Sequence, residues 1–483
     1  MTSPRKGEQL TVEIASAAFE GKSIARVEGY VLFVDGAVPG DEVVVKVAKT
    51  KKQYGEARLV EVLKPSPLRV SPRCPYAGTC GGCRWQHVDY SAQLRFKEQQ
   101  VREAFERIGG FKDPHLLPII GSDEIFFYRN KMEFSFSDRE WVREPPIENA
   151  QLEIENHKST IPPLYLGLHV PQRYDKVLDI RECHLQSPES TAILNFTRSF
   201  ARASGLSAYS TETNSGYFRF LVVRQSRRTG DLMVNLVTFE DRPDVMQKYA
   251  GGLRREVPQV TTVVNTINDK KAQIAFGDRE RVVYGDGVIR ERLGKHTFTV
   301  SAGSFFQTNT AQAEKLYGVA KEFAALTGRE VVYDLYSGTG TIALFVADAA
   351  AQVVGIESVE RSVRDAELNA RANGITNCVF VAGDLKERLA KQTAWMRSYP
   401  RPDVLIIDPP RSGMHADVVQ AILNLGVPRI VYISCNPATQ ARDAALLCRE
   451  AYQLVNLRPV DMFPHTYHIE SVALFERNAG QSR

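Results

Sequence analysis

One cysteine stands where an apolar strand leaves the core, in the sequence VYISCNPATQ. Cys435 follows the apolar run directly, and Asn436 and Pro437 then end the strand. A cysteine with a purely structural role more often lies inside such a run, where it packs as a small apolar side chain. The position of Cys435 therefore indicates a thiol that can act as a nucleophile, with an inert buried thiol as the alternative.

Two carboxylates also lie at the ends of predicted strands. Asp408 follows the apolar run VLII in VLIIDPPRSG, and the tandem prolines after it fix the direction of the chain. The alternative to a functional carboxylate here is a rigid loop. Glu470 precedes the apolar strand SVALF, where a solvated strand start is the alternative, and His468 is a second candidate base. One reaction that needs a cysteine beside a carboxylate is the methylation of carbon 5 of uracil. A thiolate that adds to carbon 6 activates carbon 5 for methylation, and a base must then remove the carbon 5 proton. Cys435 and Glu470 suit these two roles.

A glycine turn, DLYSGTGTIAL, joins a predicted strand to a predicted helix and is typical of a nucleotide-type cofactor site. Glu357 ends the next strand 17 residues after Gly340, where it can hold ribose hydroxyls. Asp384 ends the strand after that and is placed for an adenine amino group. The turn also fits a dinucleotide fingerprint, but Asp334, expected in the turn facing a cationic or amino-bearing ligand, favours S-adenosylmethionine (SAM) over NAD.

Three cysteines cluster in CPYAGTCGGCRWQH with the spacing Cys-x5-Cys-x2-Cys. They are Cys74, Cys80 and Cys83, and Cys183 follows 100 residues after the third. Four thiolates suit a [4Fe–4S] cluster or zinc, and three ligands plus a distant fourth favour the cluster over the paired spacing of zinc sites. Nothing in the sequence demands redox turnover, so a structural or RNA-positioning role is expected.

The composition is that of a multi-domain globular protein. The 483 residues are too many for one domain, and 43% apolar and 24% charged residues are ordinary values. No apolar run reaches the roughly 20 residues of a membrane span, and the N-terminus lacks a signal-peptide pattern, so a cytoplasmic enzyme is expected. Seven cysteines, an odd number, argue against a secreted disulfide framework. The oligomeric state stays open, with a monomer as the simplest expectation.

The pattern of apolar residues divides the chain into three segments. Residues 1–65 alternate apolar and polar positions and predict an OB-like barrel of about five strands. Residues 66–295 are mixed α/β, with an amphipathic helix in SAQLRFKEQQVREAFERIGG and a hairpin in YFRFLVVRQSRRTGDLMVNLVTFE. Residues 296–483 alternate strand, turn and helix, which predicts a doubly wound, mostly parallel sheet that binds ligands at its carboxyl edge.

Basic residues with an interleaved aromatic mark the segment KVAKTKKQYGEAR in the predicted barrel. Such a segment suits phosphate contact with base stacking, although a solvated hairpin is an equal alternative. A second basic pair alternates along a predicted strand of the central segment. The candidate RNA contacts are Lys49, Lys51, Lys52, Tyr54, Arg129 and Lys131.

The motifs Cys-x5-Cys-x2-Cys, DLYSGTG, DPPR, SCNP and HIES, in that order, resemble those of the TRAM-domain iron–sulfur RNA uridine-5-methyltransferases. The resemblance covers the whole chain and is to the type that forms 5-methyluridine in 23S ribosomal RNA. It implies a TRAM barrel, a cluster-bearing central domain and a Rossmann-like methyltransferase domain. It also implies SAM as cofactor and a flipped target base.

The resemblance further implies a role for each matching residue. Cys435 would be the nucleophile and Glu470 the proton acceptor. The [4Fe–4S] ligands would be Cys74, Cys80, Cys83 and Cys183. The SAM pocket would be lined by Gln307, Tyr336, Thr341, Glu357, Asp384 and Asp408.

Three other functions stay open. The same chemistry could act on the T-loop of transfer RNA. An NAD-dependent oxidoreductase would give Cys435 no role, and a non-catalytic RNA-binding protein would need neither Cys435 nor Glu470. The segment HKSTIPPLY, residues 157–165, matches no motif.

Overall fold

The computed structural model describes residues 4–141, 163–171, 176–390 and 398–478. Residues 157–162 of the segment HKSTIPPLY lie outside these ranges. No helix in the described ranges is long and apolar enough to cross a membrane.

The N-terminal segment forms a closed five-stranded barrel, as its alternating pattern predicts. The strand order around the barrel is β1-β2-β3-β5-β4, and β3 and β5 run parallel. One face of each strand fills the barrel core with small and branched apolar side chains such as Ile14, Leu32 and Val45. The strands are β1 Gln9–Ala17, β2 Ser23–Val27, β3 Tyr30–Asp35, β4 Glu42–Thr50 and β5 Tyr54–Lys64.

The predicted amphipathic helix is α1, Tyr90–Arg107, and Asp89 caps it by accepting hydrogen bonds from the backbone N–H groups of Ser91 and Ala92. Its apolar face carries Val101, Ala104 and Phe105, and this face packs into the core of the C-terminal sheet. A helix from the central segment therefore belongs by packing to the last third of the chain. The three-part division of the sequence stays a prediction.

The central segment forms a mixed seven-stranded sheet in the order β12-β11-β10-β9-β6-β7-β8. The predicted hairpin is β9–β10, and its turn contains Gly230. The strands are β6 Lys131–Ser137, β7 Tyr165–His169, β8 Val177–Leu178, β9 Phe218–Gln225, β10 Leu232–Thr238, β11 Thr262–Ile267 and β12 Arg279–Tyr284. The helices are α2 Pro188–Ala203 and α3 Pro243–Glu256.

A two-stranded hairpin, β13 Val288–Leu293 and β14 His296–Ser301, leads into the C-terminal sheet. This sheet has the order β17-β16-β15-β18-β19-β21-β20. β21 runs antiparallel to both β19 and β20, and the other neighbouring strands of the sheet are parallel. The strands are β15 Val331–Leu335, β16 Gln352–Glu357, β17 Cys378–Ala382, β18 Val404–Ile407, β19 Arg429–Ser434, β20 Tyr452–Val460 and β21 Glu470–Arg477. The helices are α4 Thr310–Ala324, α5 Thr341–Val346, α6 Glu360–Ala372, α7 Leu385–Ala390, α8 Ala416–Leu425 and α9 Pro437–Glu450.

The strand order reverses between β15 and β18, and two core clusters cover the two faces of the sheet. Ligands of doubly wound sheets bind in the crevice at the carboxyl ends of the strands where the order reverses. The predicted doubly wound α/β fold is confirmed, and it places the cofactor-type glycine turn at this crevice.

A fully buried ion pair fixes α1 to the C-terminal part of the chain. Lys97 Nζ lies 2.6 Å from Asp461 Oδ1, and neither side chain has any solvent exposure. Lys97 also donates to the carbonyl of Phe463, and Tyr90 donates to the other carboxylate oxygen of Asp461. Burial lowers the pKa of Lys97, while the charge of Asp461 opposes that shift.

We expect a Lys97→Met protein to lose about 3–5 kcal/mol of unfolding free energy, because the substitution leaves the Asp461 carboxylate buried without its cation. Urea-induced unfolding followed by tryptophan fluorescence measures this loss. Lys112→Met, at an exposed position beyond the end of α1, is the matched control and should change stability little. Equal stability of the Lys97 and Lys112 variants would contradict the prediction.

Candidate active site

The glycine turn follows β15 and opens α5. Gly338 and Gly340 have φ values of 54° and 78°, which L side chains rarely adopt, and Tyr336 also has a positive φ of 65°. A Cβ atom on Gly340 would lie 2.8 Å from a ring carbon of Phe380. The turn is therefore built for glycine both by its backbone conformation and by close packing.

The acid at the tip of β16 is bonded to this turn. Glu357 is half-buried, and its carboxylate accepts hydrogen bonds from the N–H groups of Gly338, at 3.0 Å, and Val359, at 2.8 Å. Asp384 lies at the end of β17, is exposed, and accepts from the N–H of Lys386 at 2.8 Å. Both acids lie at carboxyl ends of strands, as the sequence predicts.

The expected place of Asp334 in the turn is wrong. Asp334 lies within β15, is fully buried, and accepts a hydrogen bond from the N–H of Ala343 at 3.0 Å. Burial raises its pKa well above the usual range, and the nearby Asp408 raises it further. Asp334 lies in the strand and not in the turn because β15 continues one residue beyond it. Its carboxyl bonds β15 to α5 from inside the core.

The side chains of Gln307 and Thr341 both contact a buried tyrosine, Tyr317, beside the glycine turn. The hydroxyl of Tyr317 lies 3.1 Å from Thr341 Oγ1 and also bonds the Gln307 side chain. The backbone carbonyl of Gln307 accepts from the Asn130 amide at 2.8 Å, which fixes this segment to the central sheet. Tyr317 was not predicted, because nothing in its helical pattern distinguishes it from a core residue.

Cys435 and Glu470 lie at adjoining ends of paired strands. Cys435 follows the last residue of β19, Glu470 is the first residue of β21, and Ser434 pairs with Ser471 across the two strands. Burial raises the pKa of the Cys435 thiol to about 11, and the Glu470 carboxylate raises it further. The Arg411 guanidinium opposes this rise by its charge and by a hydrogen bond to the thiol.

The two carboxyl groups of the site have high pKa values. Glu470 is buried, and burial followed by the charge of Asp408 raises its pKa well above the usual range, while Arg411 lowers it. Burial raises the pKa of Asp408, at the end of β18, to about 7. Asp408 can therefore exchange a proton near neutral pH, as acid–base catalysis requires.

His468, the second candidate base, contacts the same arginine. Arg411 Nη2 lies 3.1 Å from His468 Nδ1. Because a guanidinium only donates, Nδ1 is the acceptor and the proton of the neutral imidazole lies on Nε2. Burial, followed by the charge of Arg411, lowers the His468 pKa to about 4. The sequence contained Arg411 in the DPPR motif, but its contact with the thiol was not predicted.

The four cysteines of the predicted cluster line one cavity of about 590 Å³, together with Arg129, His169 and Tyr467. All four are free thiols. Burial raises the pKa of Cys80 to about 11 and that of Cys83 to about 12, and the neighbouring cysteines raise both further. Within the described ranges, no group of three or more His, Cys, Asp or Glu side chains is arranged to hold a metal ion.

The remaining two cysteines lie away from this cavity. Cys378 and Cys448 are half-buried and pack against the two cores of the C-terminal sheet.

The predicted RNA-contacting residues fall in two places. Lys49, Lys51 and Lys52 lie on exposed positions at the turn between β4 and β5. Tyr54 follows them, is 41% exposed, and packs its ring edge-on against Phe33 at 5.7 Å. The Tyr54 ring therefore keeps an exposed surface near the three lysine side chains.

The second place is the start of β6. Arg129 is half-buried, with its guanidinium 5.7 Å from the Phe463 ring centre. Lys131 is the first residue of the strand and lies 3.8 Å from Glu133. Arg129 precedes the strand, so the prediction that Arg129 and Lys131 alternate along one strand is wrong.

Comparison with known proteins identifies the chain. The family model "tRNA (Uracil-5-)-methyltransferase" matches residues 218–478, and the TRAM domain model matches residues 5–60. This chain belongs to the tRNA (uracil-5-)-methyltransferase family. It is a SAM-dependent RNA methyltransferase with an N-terminal TRAM domain. This confirms the resemblance to TRAM-domain RNA uracil-5-methyltransferases and the choice of SAM over NAD.

Relatives of this methyltransferase match over nearly their full lengths. An uncharacterized RNA methyltransferase of Porphyromonas gingivalis is 44% identical over 97% of this chain and 100% of its own. One of Chlorobaculum tepidum is 42% identical over 98% of this chain and 97% of its own. The crystal structure of Pyrococcus abyssi tRNA (uracil-54, C5)-methyltransferase in complex with S-adenosyl-L-homocysteine has a TM-score of 0.73 at 27% identity, covering 96% and 100% of the two chains.

Proposed function

We propose that this methyltransferase modifies carbon 5 of a uridine in 23S ribosomal RNA, with Cys435 as nucleophile and Glu470 as base. The observation that carries the chemistry is the grouping of a thiol, a guanidinium, a buried carboxyl and a half-buried carboxyl at the ends of β18, β19 and β21. Because Cys435 is half-buried, a uridine stacked in a duplex cannot reach it, and the base must flip out or lie in a loop.

The Cys435 thiol first gives its proton to solvent, and Arg411 stabilises the charge of the thiolate, which then adds to carbon 6 of the uracil. Bound SAM supplies an electrophilic methyl group. Carbon 5, now enolate-like, takes the methyl group as the bond from that group to the sulfonium sulfur breaks, which leaves S-adenosylhomocysteine. The ionised Glu470 carboxylate then accepts the proton from carbon 5. Loss of that proton re-forms the carbon 5–carbon 6 double bond and expels the thiolate, which leaves 5-methyluridine and free Cys435.

The residues around the glycine turn fit SAM. Ser337 Oγ in this turn and Asp334 Oδ1 near the end of β15 are buried without a hydrogen-bond partner among the described residues, so polar capacity is left for a ligand. Glu357 would hold the ribose hydroxyls and Asp384 the adenine amino group. The rest of the proposed pocket consists of Gln307, Tyr336, Thr341 and Asp408.

We expect Glu357→Ala to weaken SAM binding by about 10- to 100-fold, because charge-assisted hydrogen bonds contribute about 1.5–3 kcal/mol each. The substitution also removes the carboxylate that accepts from Gly338. Calorimetric titration with SAM measures the affinity. Glu360→Ala, which changes an exposed acid at the start of α6, is the control and should bind SAM as the unsubstituted enzyme does. Unchanged affinity of the Glu357 variant would contradict the ribose assignment.

We further propose that Cys74, Cys80, Cys83 and Cys183 hold a [4Fe–4S] cluster. Four free thiols around one cavity fit this group. A single zinc ion requires its ligands to converge on one point, whereas the thiolates of a cluster bind different iron atoms. Metal coordination would also offset the cost of ionising these buried thiols.

Protein purified without air is therefore expected to be brown and to contain about four iron atoms per chain. Cys183→Ala should lose the colour, whereas Cys448→Ala should keep it, because Cys448 lies on α9 away from the cavity. Visible absorption and metal analysis provide the measurements. A colourless protein with one zinc ion per chain would contradict this proposal.

Ribosomal RNA is the proposed substrate because the exposed basic turn of the TRAM barrel and the cysteine centre together suit a large folded RNA. The T-loop of transfer RNA is the second candidate. It is favoured by the family description and by the likeness to the Pyrococcus enzyme, whose name specifies tRNA uracil-54.

Methyl transfer from labelled SAM to unmodified large-subunit ribosomal RNA and, separately, to unmodified transfer RNA tests the proposal. Label recovered as 5-methyluridine in ribosomal RNA supports it. Label in transfer RNA alone keeps the chemistry and changes the substrate. Absence of label in both, with intact SAM binding, would overturn the proposed function.

A further inference from the structure

Two loops of the molecule meet behind the active site. The catalytic loop, residues 461–469, leads into Glu470, and the cysteine loop, residues 74–85, contains three of the four clustered cysteines. The backbone N–H groups of Arg84 and Trp85 both donate to the carbonyl of His465 at 2.9 Å. Since Arg84 directly follows Cys83, the cysteine loop and the catalytic loop are bonded one residue from a cysteine.

One side chain of α1 joins both loops. Gln93 is fully buried, and its Oε1 accepts from the N–H of His465 at 2.8 Å. Its Nε2 donates to the carbonyls of Trp85, at 3.0 Å, and Val88, at 2.8 Å, and lies 3.2 Å from His465 Nδ1. A buried carboxamide with all of these contacts fixes the separation and the angle between the segments that it bonds.

The residue that Gln93 contacts has an unusual backbone conformation. His465 has a φ of 65°, a left-handed conformation that is unfavourable for a non-glycine residue and persists only where the surroundings enforce it. The Phe126 ring lies 4.3 Å from the imidazole, and Tyr128 donates to the carbonyl of Pro464 at 3.0 Å. Burial lowers the His465 pKa to about 4, so the ring is neutral and Nδ1 can share one of the two N–H hydrogens of the Gln93 amide.

Only a few residues of the catalytic loop separate His465 from the groups of the active site. His468, three residues later, contacts Arg411, and Glu470 lies two residues beyond His468. We propose that Gln93 is a positioning residue, which holds the catalytic loop against the cysteine loop and thereby places Glu470 beside Cys435. The proposal rests on the proposed function, in which Glu470 removes the carbon 5 proton.

Gln93→Met tests this inference, because methionine keeps the length of the side chain and removes its hydrogen bonds. Gln100→Met is the matched control. Gln100 lies on the same helix and is also buried, but its Nε2 donates to the carbonyl of Ala18 in the barrel, at 3.1 Å. Both variants lose a buried carboxamide, and only one of them loses contact with the catalytic loop.

We expect Gln93→Met to reduce kcat by roughly 10- to 100-fold per folded enzyme, because small misplacement of a reacting group costs about this much. The KM for SAM should stay unchanged, and the covalent enzyme–RNA adduct should accumulate because proton removal is slowed. Amide hydrogen exchange in residues 461–470 should become faster than in Gln100→Met. Circular dichroism gives the folded fraction of each variant.

Equal kcat and equal exchange of the catalytic loop in the two variants would overturn the positioning role. An unsubstituted enzyme that methylates neither RNA would instead overturn the proposed function. In that case the exchange measurement still decides whether Gln93 holds the loop, because it does not require turnover.

Discussion

A Cys435→Ala enzyme is expected to transfer no measurable methyl group to RNA, with a loss of about 10⁴-fold or more. Removing a covalent nucleophile typically costs enzymes this much or more, because the remaining binding interactions cannot replace the missing bond. Here carbon 5 of the uracil gains nucleophilic character only after addition at carbon 6. Single-turnover transfer of labelled methyl from SAM to RNA measures the loss.

The substitution should leave the cofactor pocket intact. Cys435 is half-buried at the end of β19, and alanine removes only the sulfur atom. SAM should therefore raise the melting temperature of the variant as it does for the unsubstituted enzyme. Cys448→Ala, at a half-buried cysteine on α9 that packs against the core, is the control and should keep full activity. Substantial methyl transfer by Cys435→Ala would show that another group is the nucleophile.

Much of the fold follows from local patterns in the sequence. Alternation of apolar residues depends on neighbours two positions apart, so the barrel strands and the hairpin β9–β10 could be predicted without tertiary information. The strand–turn–helix alternation likewise predicted the doubly wound sheet, and with it a binding crevice near Gly340, Glu357 and Asp408. Residues at strand ends share one edge of the sheet whatever their distance along the chain.

Contacts between distant segments could not be predicted in this way. Gln93 and His465 are 372 positions apart, and Lys97 and Asp461 are 364 positions apart. In the sequence, Gln93 and Lys97 are ordinary polar residues of an amphipathic helix, because periodicity gives the face of a helix and not its partner. The contact of Arg411 with Cys435 and the place of Asp334 inside β15 also depend on strand ends that only the tertiary structure fixes.

A Glu470→Gln enzyme is expected to add the methyl group and then stop. Glutamine has nearly the same shape as glutamate and places no new charge at this buried position, so folding should be little affected. The amide cannot accept the carbon 5 proton, and loss of a general base typically slows turnover by about 10²- to 10⁴-fold. The methylated RNA should stay bonded to Cys435 and migrate with the protein in a denaturing gel.

His468→Ala separates the two candidate bases. Arg411 already donates to Nδ1 of His468, so the basic nitrogen of the neutral ring is occupied, whereas the high pKa of Glu470 makes its carboxylate a strong proton acceptor. The histidine variant should therefore release methylated RNA without a trapped adduct, even if its loop contacts weaken. An adduct trapped by His468→Ala, with normal release by Glu470→Gln, would transfer the role of base to the imidazole.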